Sequence, residues 1–280
     1  MQRIILHEVG MRDGLQMESA TVPLEKKVQW LEALAGTGLD VIQVGSFVHP
    51  TRVPQMADTD RLFPALAGRL PEGVKLSALV LNEKGLERGF ACGVHMFCMG
   101  VSASETHSMK NTGMPIAEAT TRIVAMATTA ADSGADVQVS VQSAFGCGYE
   151  GAVPQDRVLD IVRRYVDAGL RNISLADTAG HATPDQVERL YESVRAIDEG
   201  LELACHFHNT YGMAIANCYA AMRAGVRSFE SSVAGLGGCP FTKIAGGNVS
   251  TEDLVHMLHR MGLRTDVSLE PLIGVARQIA

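Results

Sequence analysis

Apolar residues recur along the chain in two alternating rhythms. Short runs rich in β-branched and aliphatic side chains occur at "IILHEV" (4–9), "LDVIQV" (39–44), "KLSALV" (75–80), "GVHMFC" (93–98), "DVQVSV" (136–141), "RNISLA" (171–176), "LELACHF" (201–207) and "SFESSV" (228–233). Between them, stretches such as "LEKKVQWLEALAGTG", "PIAEATTRIVAMATTAADSG", "PQDRVLDIVRRYVDAG", "TPDQVERLYESVRAID" and "GMAIANCYAAMRAG" place apolar residues three and four apart, the period of a helix that buries one face. Several of these stretches stop at Gly, and Thr183-Pro184 offers an N-cap followed by Pro at the first helical position. Eight strands alternating with helices predict an α/β fold, a single (β/α)8 TIM barrel. A doubly wound parallel sheet is the alternative, weakened because no G-x-G-x-x-G follows the first strand.

Composition favours one domain. The 280 residues match the roughly 250 of a typical barrel, and no Pro/Ser-rich linker or charge block divides them. Hydrophobic residues make up 46% of the chain and aromatics 5%, with 28 Gly, as packed aliphatic layers joined by tight turns require. Residues 1–280 are therefore expected to form one barrel domain, with a short C-terminal end after about residue 262. A formal charge of −7 argues against a nucleic-acid or anionic-membrane surface, since both reward a basic face. The amino-terminal apolar run is too short for a secretory core, and no stretch approaches the roughly 20 apolar residues of a membrane span. The cysteines at 92, 98, 147, 205, 218 and 239 form no C-x-x-C pair, so neither a zinc knuckle nor a disulfide framework is indicated, and a cytoplasmic protein is expected.

Barrels of this class carry their chemistry at the carboxyl ends of the strands, and the conspicuous polar residues fall there. Strand one runs into Arg12-Asp13, strand two carries Gln43 and leads to Ser46, strand five reaches Gln142, and strand six ends at Asp177. Strand seven contains "HFHN": alternation puts His206 and His208 on one face, with Cys205 and Phe207 on the other, a geometry that suits a shared metal ion. An isolated H-x-H is more often two ordinary strand histidines; its coincidence with acids on one rim favours the metal.

With these residues assembled, the chain resembles the hydroxymethylglutaryl-CoA lyase family, metal-dependent barrels named for a D-R-E motif. The resemblance rests on "EVGMRDGLQ", "SFVHPTRVPQMAD", "AFGCGYEG", "SLADTAG", "HFHNTYG", "GLGGCP" and "GGNVSTEDLVHML". It implies that Asp13, His206, His208 and Asn248 ligate a divalent cation, Mg²⁺ or Mn²⁺ given an oxygen-rich set with imidazoles. It also implies Arg12 as stabiliser of a developing enolate, Cys239 as the mobile-loop proton donor, and Asp177 as base or support, with His206 also placed among the catalytic residues. Gln16, Gln43 and Ser46 are the expected substrate contacts. An acyl-CoA or hydroxy-acid substrate and a homo-oligomeric assembly are the expected partners, with no nucleic acid or membrane.

The chain departs from the resemblance at several positions. Gln43 and Asn209 stand where the family has carboxylates, which is expected to make the pocket about two charges more positive. Met11 and Gly148 replace prolines, Ser19 replaces a residue that is often Lys or Pro, and with the end at "VARQIA" either the substrate is expected to be held differently or the pantetheine tunnel to be more open. The leading reading is retro-Claisen cleavage of a 3-hydroxyacyl-CoA to acetyl-CoA and a keto acid. A related lyase or aldolase with a different branched or dicarboxylic substrate comes next, then a non-catalytic metal- and ligand-binding relative.

Overall fold

A computed structural model describes residues 3–238 and 246–280. Eight parallel strands close into a barrel in chain order, β1 (Ile5–Glu8), β2 (Val41–Ser46), β3 (Lys75–Leu79), β4 (Met96–Ser102), β5 (Asp136–Gln142), β6 (Asn172–Asp177), β7 (Glu202–Phe207) and β8 (Ser228–Ser231). Closure comes from β1 against β8, where Ile5 pairs with Ser228 and His7 with Glu230. Around the barrel run α1 (Leu24–Ala35), α2 (Thr59–Leu66), α3 (Glu83–Cys92), α4 (Glu105–Thr112), α5 (Ile116–Asp132), α6 (Gln155–Asp167), α7 (Pro184–Arg195), α8 (Ala214–Arg223), α9 (Thr251–Arg260) and α10 (Leu269–Ile279). Among the described residues no helix is long and apolar enough to cross a membrane.

Period-two alternation sorts each strand into two environments. Outward-facing Leu6, Ile42, Val44, Phe97, Met99, Val101, Ile173, Leu175 and Phe229 are all buried and join one continuous apolar layer beneath the helices. Inside the barrel the apolar cluster is small: Val41, Met96 and Cys98, with Ile5 packed against it. Above that plug the interior is polar, with His7, Gln43, Ser77, Gln138, Ser174 and Glu230 buried. This departs from the branched aliphatic layers that usually fill such barrels.

All eight expected strands are present. The fourth begins at Met96, later than its apolar run, because Gly93 ends α3 in a left-handed conformation (φ 74°). The helices α3, α4 and α9 open on side-chain caps: Asn82, Ser104 and Ser250 accept from the backbone N–H of Gly85, His107 and Asp253. Thr183 occupies the N-cap position of α7 ahead of Pro184, yet its hydroxyl donates to Asp185 at 2.6 Å and makes no cap bond. Beyond residue 262 the chain forms α10, which buries Leu272, Val275 and Ala276 and packs against α1 and the turn Val233–Gly235.

The amino-terminal face is tied by Arg264. Its buried guanidinium donates to the carbonyls of Ile4 and Gly38 at 2.8 Å each, to Asp40 at 2.5 Å and to Asp266 at 3.0 Å. Removing a buried cation leaves its partners desolvated and unpaired. Arg264→Met is therefore expected to lower stability by about 3 kcal/mol, measured as a fall in urea midpoint with unchanged slope. A wild-type midpoint would mean that the network contributes nothing net.

Candidate active site

The last residues of β1 lead into a π-helical turn, Gly10–Gly14, that carries Arg12 and Asp13. The turn is held by Glu8. Its carboxylate accepts from Gly10 N at 2.7 Å, from Val233 N at 2.9 Å and from Thr251 Oγ1 at 2.5 Å. Burial pushes Glu8 up to about 7 against the opposing effect of these donors. Arg12 then donates through Nε to Gln43 Oε1 of β2 and through Nη1 to Asp13 Oδ1. Gln16 donates to the same Asp13 oxygen at 3.0 Å.

Across the barrel mouth, His206 and His208 share the inward face of the β7 end. Each ring is oriented by its Nδ1: His206 faces Glu230 Oε2 at 3.0 Å and His208 faces the Gly246 carbonyl at 3.0 Å. Both acceptors lack a proton to give, so both histidines carry hydrogen on Nδ1. Their Nε2 atoms then meet at 3.1 Å. Two lone pairs facing each other at that distance repel unless a proton or cation sits between them. Asp13 Oδ2 lies 3.9 Å from His206 Nε2, and ligand atoms of Asp13, His206 and His208 all fall within 4.8 Å of one another.

Asn248 completes the ring. It bridges to His208 through the backbone, and its Nδ2 donates to Asp13 Oδ2 at 2.7 Å and to the Leu236 carbonyl at 2.9 Å. Its Oδ1 is buried and has no hydrogen-bond partner among the described residues. Gly237 (φ 124°) lets the chain pass over this group, since a Cβ there would lie 2.2 Å from Asn248 Nδ2. An orphaned amide oxygen, two facing imidazole nitrogens and a carboxylate are a donor set for a divalent cation, and the residues fit one.

Electrostatics agree with that reading. Burial would raise Asp13, but Arg12 and the two histidines outweigh it and hold the carboxyl below its usual range. Burial pushes His208 down to about 4, aided by neighbouring His206, so this imidazole is neutral at physiological pH. For His206 burial also works downward, and the bond and charge of Glu230 overcome it and raise the ring. Glu230 is lowered despite burial because His206 and Ser174 both bond to it, Ser174 Oγ at 2.8 Å.

One cavity of about 430 Å³ joins these groups, lined by Arg12, Asp13, Gln16, Gln43, His206 and His208 among others. The structure places the other expected residues elsewhere. Ser46, at the end of β2, is buried, and its Oγ finds no partner among the described residues. It lies outside the cavity lining. Asp177 faces outward, opposite to Ala176, and accepts from the backbone N–H of His181 at 2.8 Å and Ala182 at 3.0 Å, holding the loop after β6. Burial raises it to about 6. The expectation that two amides recharge the pocket is corrected: Gln43 lines the cavity, but Asn209 is exposed and accepts from Ala214 N at the start of α8. Cys239 lies outside the described residues.

Sequence reasoning missed Glu230, read only as part of an apolar strand. The signal was available, since alternation puts an acid on the inner face of β8 opposite His206.

The family described as HMGL-like matches residues 3–279. A hydroxymethylglutaryl-CoA lyase of Pseudomonas mevalonii is 41% identical over 280 residues, covering 100% of this chain and 92% of the relative. The crystal structure of the Bacillus subtilis HMG-CoA lyase superposes with a TM-score of 0.94 at 36% identity, over 100% of this chain and 93% of that one. An HMG-CoA lyase from Acinetobacter baumannii, solved in complex with coenzyme A and 3-methylmalate, gives 0.93 at 34% identity, over 99% and 90%.

If Glu230 orients His206 toward a cation, Glu230→Ala should weaken Mn²⁺ binding by about 10- to 100-fold, read by titration of the purified protein. Asp13→Ala should remove tight binding altogether. Wild-type affinity in both variants would refute the ligand set.

Proposed function

Because the chain belongs to the HMGL-like family, we propose that it is a divalent-metal-dependent carbon–carbon lyase that cleaves 3-hydroxy-3-methylglutaryl-CoA, or a close analogue, to acetyl-CoA and a keto acid. The observation that carries this reading is the pair of Nε2 atoms 3.1 Å apart beside a buried carboxylate, open to a cavity with Arg12 on its wall. Asp13, His206, His208 and Asn248 would hold Mg²⁺ or Mn²⁺, which when bound supplies Lewis-acid polarisation of the substrate oxygens.

The protein's own groups account for the rest of the chemistry. A general base takes the C3 hydroxyl proton, and that carbon becomes a ketone as the C2–C3 bond breaks. The bonding pair passes to the thioester as an enolate, and a proton delivered to C2 yields acetyl-CoA. Arg12 is where negative charge needs a partner: its Nε is held by Gln43 and its Nη1 by Asp13, which leaves the guanidinium oriented before substrate arrives. Holding such a group in advance removes reorganisation at the moment of bond cleavage. Cys239 is the donor to C2 that the family resemblance implies. Asp177 supports the loop after β6 in this reading. The reduced cysteines fit a cytoplasmic setting.

Cleavage of 3-hydroxy-3-methylglutaryl-CoA, followed by acetyl-CoA release, tests the reading: activity should vanish with EDTA and return with Mg²⁺ or Mn²⁺. A protein that binds metal and thioester but cleaves nothing would be the non-catalytic relative. Arg12→Ala should lower kcat by about 10²- to 10³-fold, the usual loss for one oxyanion donor. Gln43→Glu should change the rate on this thioester upward by about tenfold, equivalent to about 1.4 kcal/mol of barrier, if the amide reflects adaptation to a different substrate. Equal rates for the variant and wild type would make Gln43 electrostatically neutral.

A further inference from the structure

The cavity extends from the candidate metal centre toward β4, β5 and β6, where the barrel interior holds unusually little bulk. Gly100, Ser140 and Ser174 succeed one another across the three strands in register, and Ala176 sits beside His206. Gly100 leaves no room for a side chain, since a Cβ there would fall 2.1 Å from Ser140 Oγ. Around this recess the cavity wall is formed by Asn111, Gln138, Ser140, Gln142, Ser174 and Ala176. Their polar groups are neutral. Gln138 is buried on the interior face, and Gln142 Oε1 accepts from Asn111 at 3.4 Å, so both carboxamides can offer N–H groups to a ligand oxygen.

Resting on the lyase reading above, the substituents of the reacting carbon can be assigned to walls. C3 bears a hydroxyl, the arm to the thioester, a carboxymethyl arm and one further group. The hydroxyl belongs with Asp13 and His206, and the thioester arm must reach the mouth because coenzyme A is too large for the barrel. The carboxylate belongs with Arg12 and Arg52, the cations on the β1–β2 side. This leaves the fourth substituent to the β4–β6 recess. A methyl group would be too short to reach the Gln138 and Gln142 carboxamides and would leave the recess unfilled. A carboxylate would find only neutral groups on β4, β5 and β6, since Arg122 of α5, the other cation of the lining, is engaged with Glu83.

We propose that the preferred substrate carries at C3 a substituent longer than methyl that ends in an uncharged oxygen, such as a hydroxyl, held by Gln138 and Gln142 in the recess beside Ser140. These residues set specificity among 3-hydroxyacyl-CoA thioesters.

Competition between thioesters in one tube tests this, because a ratio of kcat/KM values is independent of the fraction of enzyme folded. The probes are 3-hydroxyglutaryl-CoA thioesters with methyl, 2-hydroxyethyl or n-propyl at C3, assayed with Mn²⁺. The hydroxyethyl compound should be preferred to methyl by at least tenfold, and the n-propyl isostere should lose most of that gain. Gln138→Leu should reverse the order of hydroxyethyl and n-propyl, and Ser140→Leu should lower the ratio of either long substrate to methyl at least tenfold. A wild-type preference for methyl, or ratios unmoved in both variants, would overturn the proposal while leaving the lyase reading intact. Failure of the wild type to cleave any of the three would sink the lyase reading and the proposal with it.

Discussion

One buried carboxylate determines whether the site exists at all. Glu8 ends β1, and its oxygens take the N–H of Gly10, the N–H of Val233 and the hydroxyl of Thr251. Those donors begin the turn bearing Arg12 and Asp13, the turn after β8, and α9. Residues separated by more than two hundred positions in the chain therefore meet at one side chain. Barrel closure between β1 and β8 brings them near, but strand pairing acts only as far as Ser231. Beyond it the Glu8 bonds and the Ser232–Ser250 bridge hold Val233 and Thr251 beside the turn that carries Asp13, where Asn248 places its amide. The choice of a carboxylate is physical. A single acceptor with two oxygens satisfies three donors that would otherwise be buried unpaired at the ends of three elements.

The metal-binding groups are organised by the same logic one layer inward. Glu230 and the Gly246 carbonyl each take the Nδ1 proton of one histidine, which commits both Nε2 lone pairs to the same small volume. With neither a proton nor a cation between them the two lone pairs repel; with a cation the arrangement is preorganised, and the cost of orienting the rings has already been met during folding. The polar barrel interior follows from that requirement. Glu230 must remain ionised beneath His206, and His7, bonded to Ser77 at 2.8 Å, and Ser174 form a hydrogen-bonding floor in which a carboxylate can persist. Stability is carried instead by the aliphatic layer between barrel and helices, where the outward faces of the strands are buried.

The strands were legible because buried parallel strands appear as continuous β-branched runs, and the five long amphipathic helices because their stripes repeat over several turns. The helices α2 and α4 are eight residues long, too short for periodicity to separate them from loop, while α3 and α4 are announced by their caps, Asn82 and Ser104. Asp13, His206 and His208 were readable from residue type and motif together. Position at a strand end was a weaker guide than face. Asp177 and Ala176 are neighbours on β6, and only Ala176 lines the cavity. The same test separates Asn209 from His208, and it would have selected Glu230. Ser46, expected from its place at the end of β2, is likewise absent from the lining.

The consequence for Gln43 is narrower than the sequence suggested, and sharper. With Asn209 outside the cavity, the charge difference that the family resemblance implies at the site falls from two to one, located on the acceptor of Arg12 Nε. A carboxylate there would share the guanidinium's charge between two anions, Asp13 and residue 43. The neutral amide holds the same geometry while leaving more of the positive potential directed at the cavity. A hydrogen bond to a charged group is stronger than one to an amide, so the substitution trades rigidity of Arg12 for field strength. An enolate gains from the field only as its charge develops, whereas a substrate carboxylate gains from it already in the ground state. The amide therefore favours binding of anionic substrate more uniformly than it favours the transition state, and uniform binding improves affinity without speeding the chemical step.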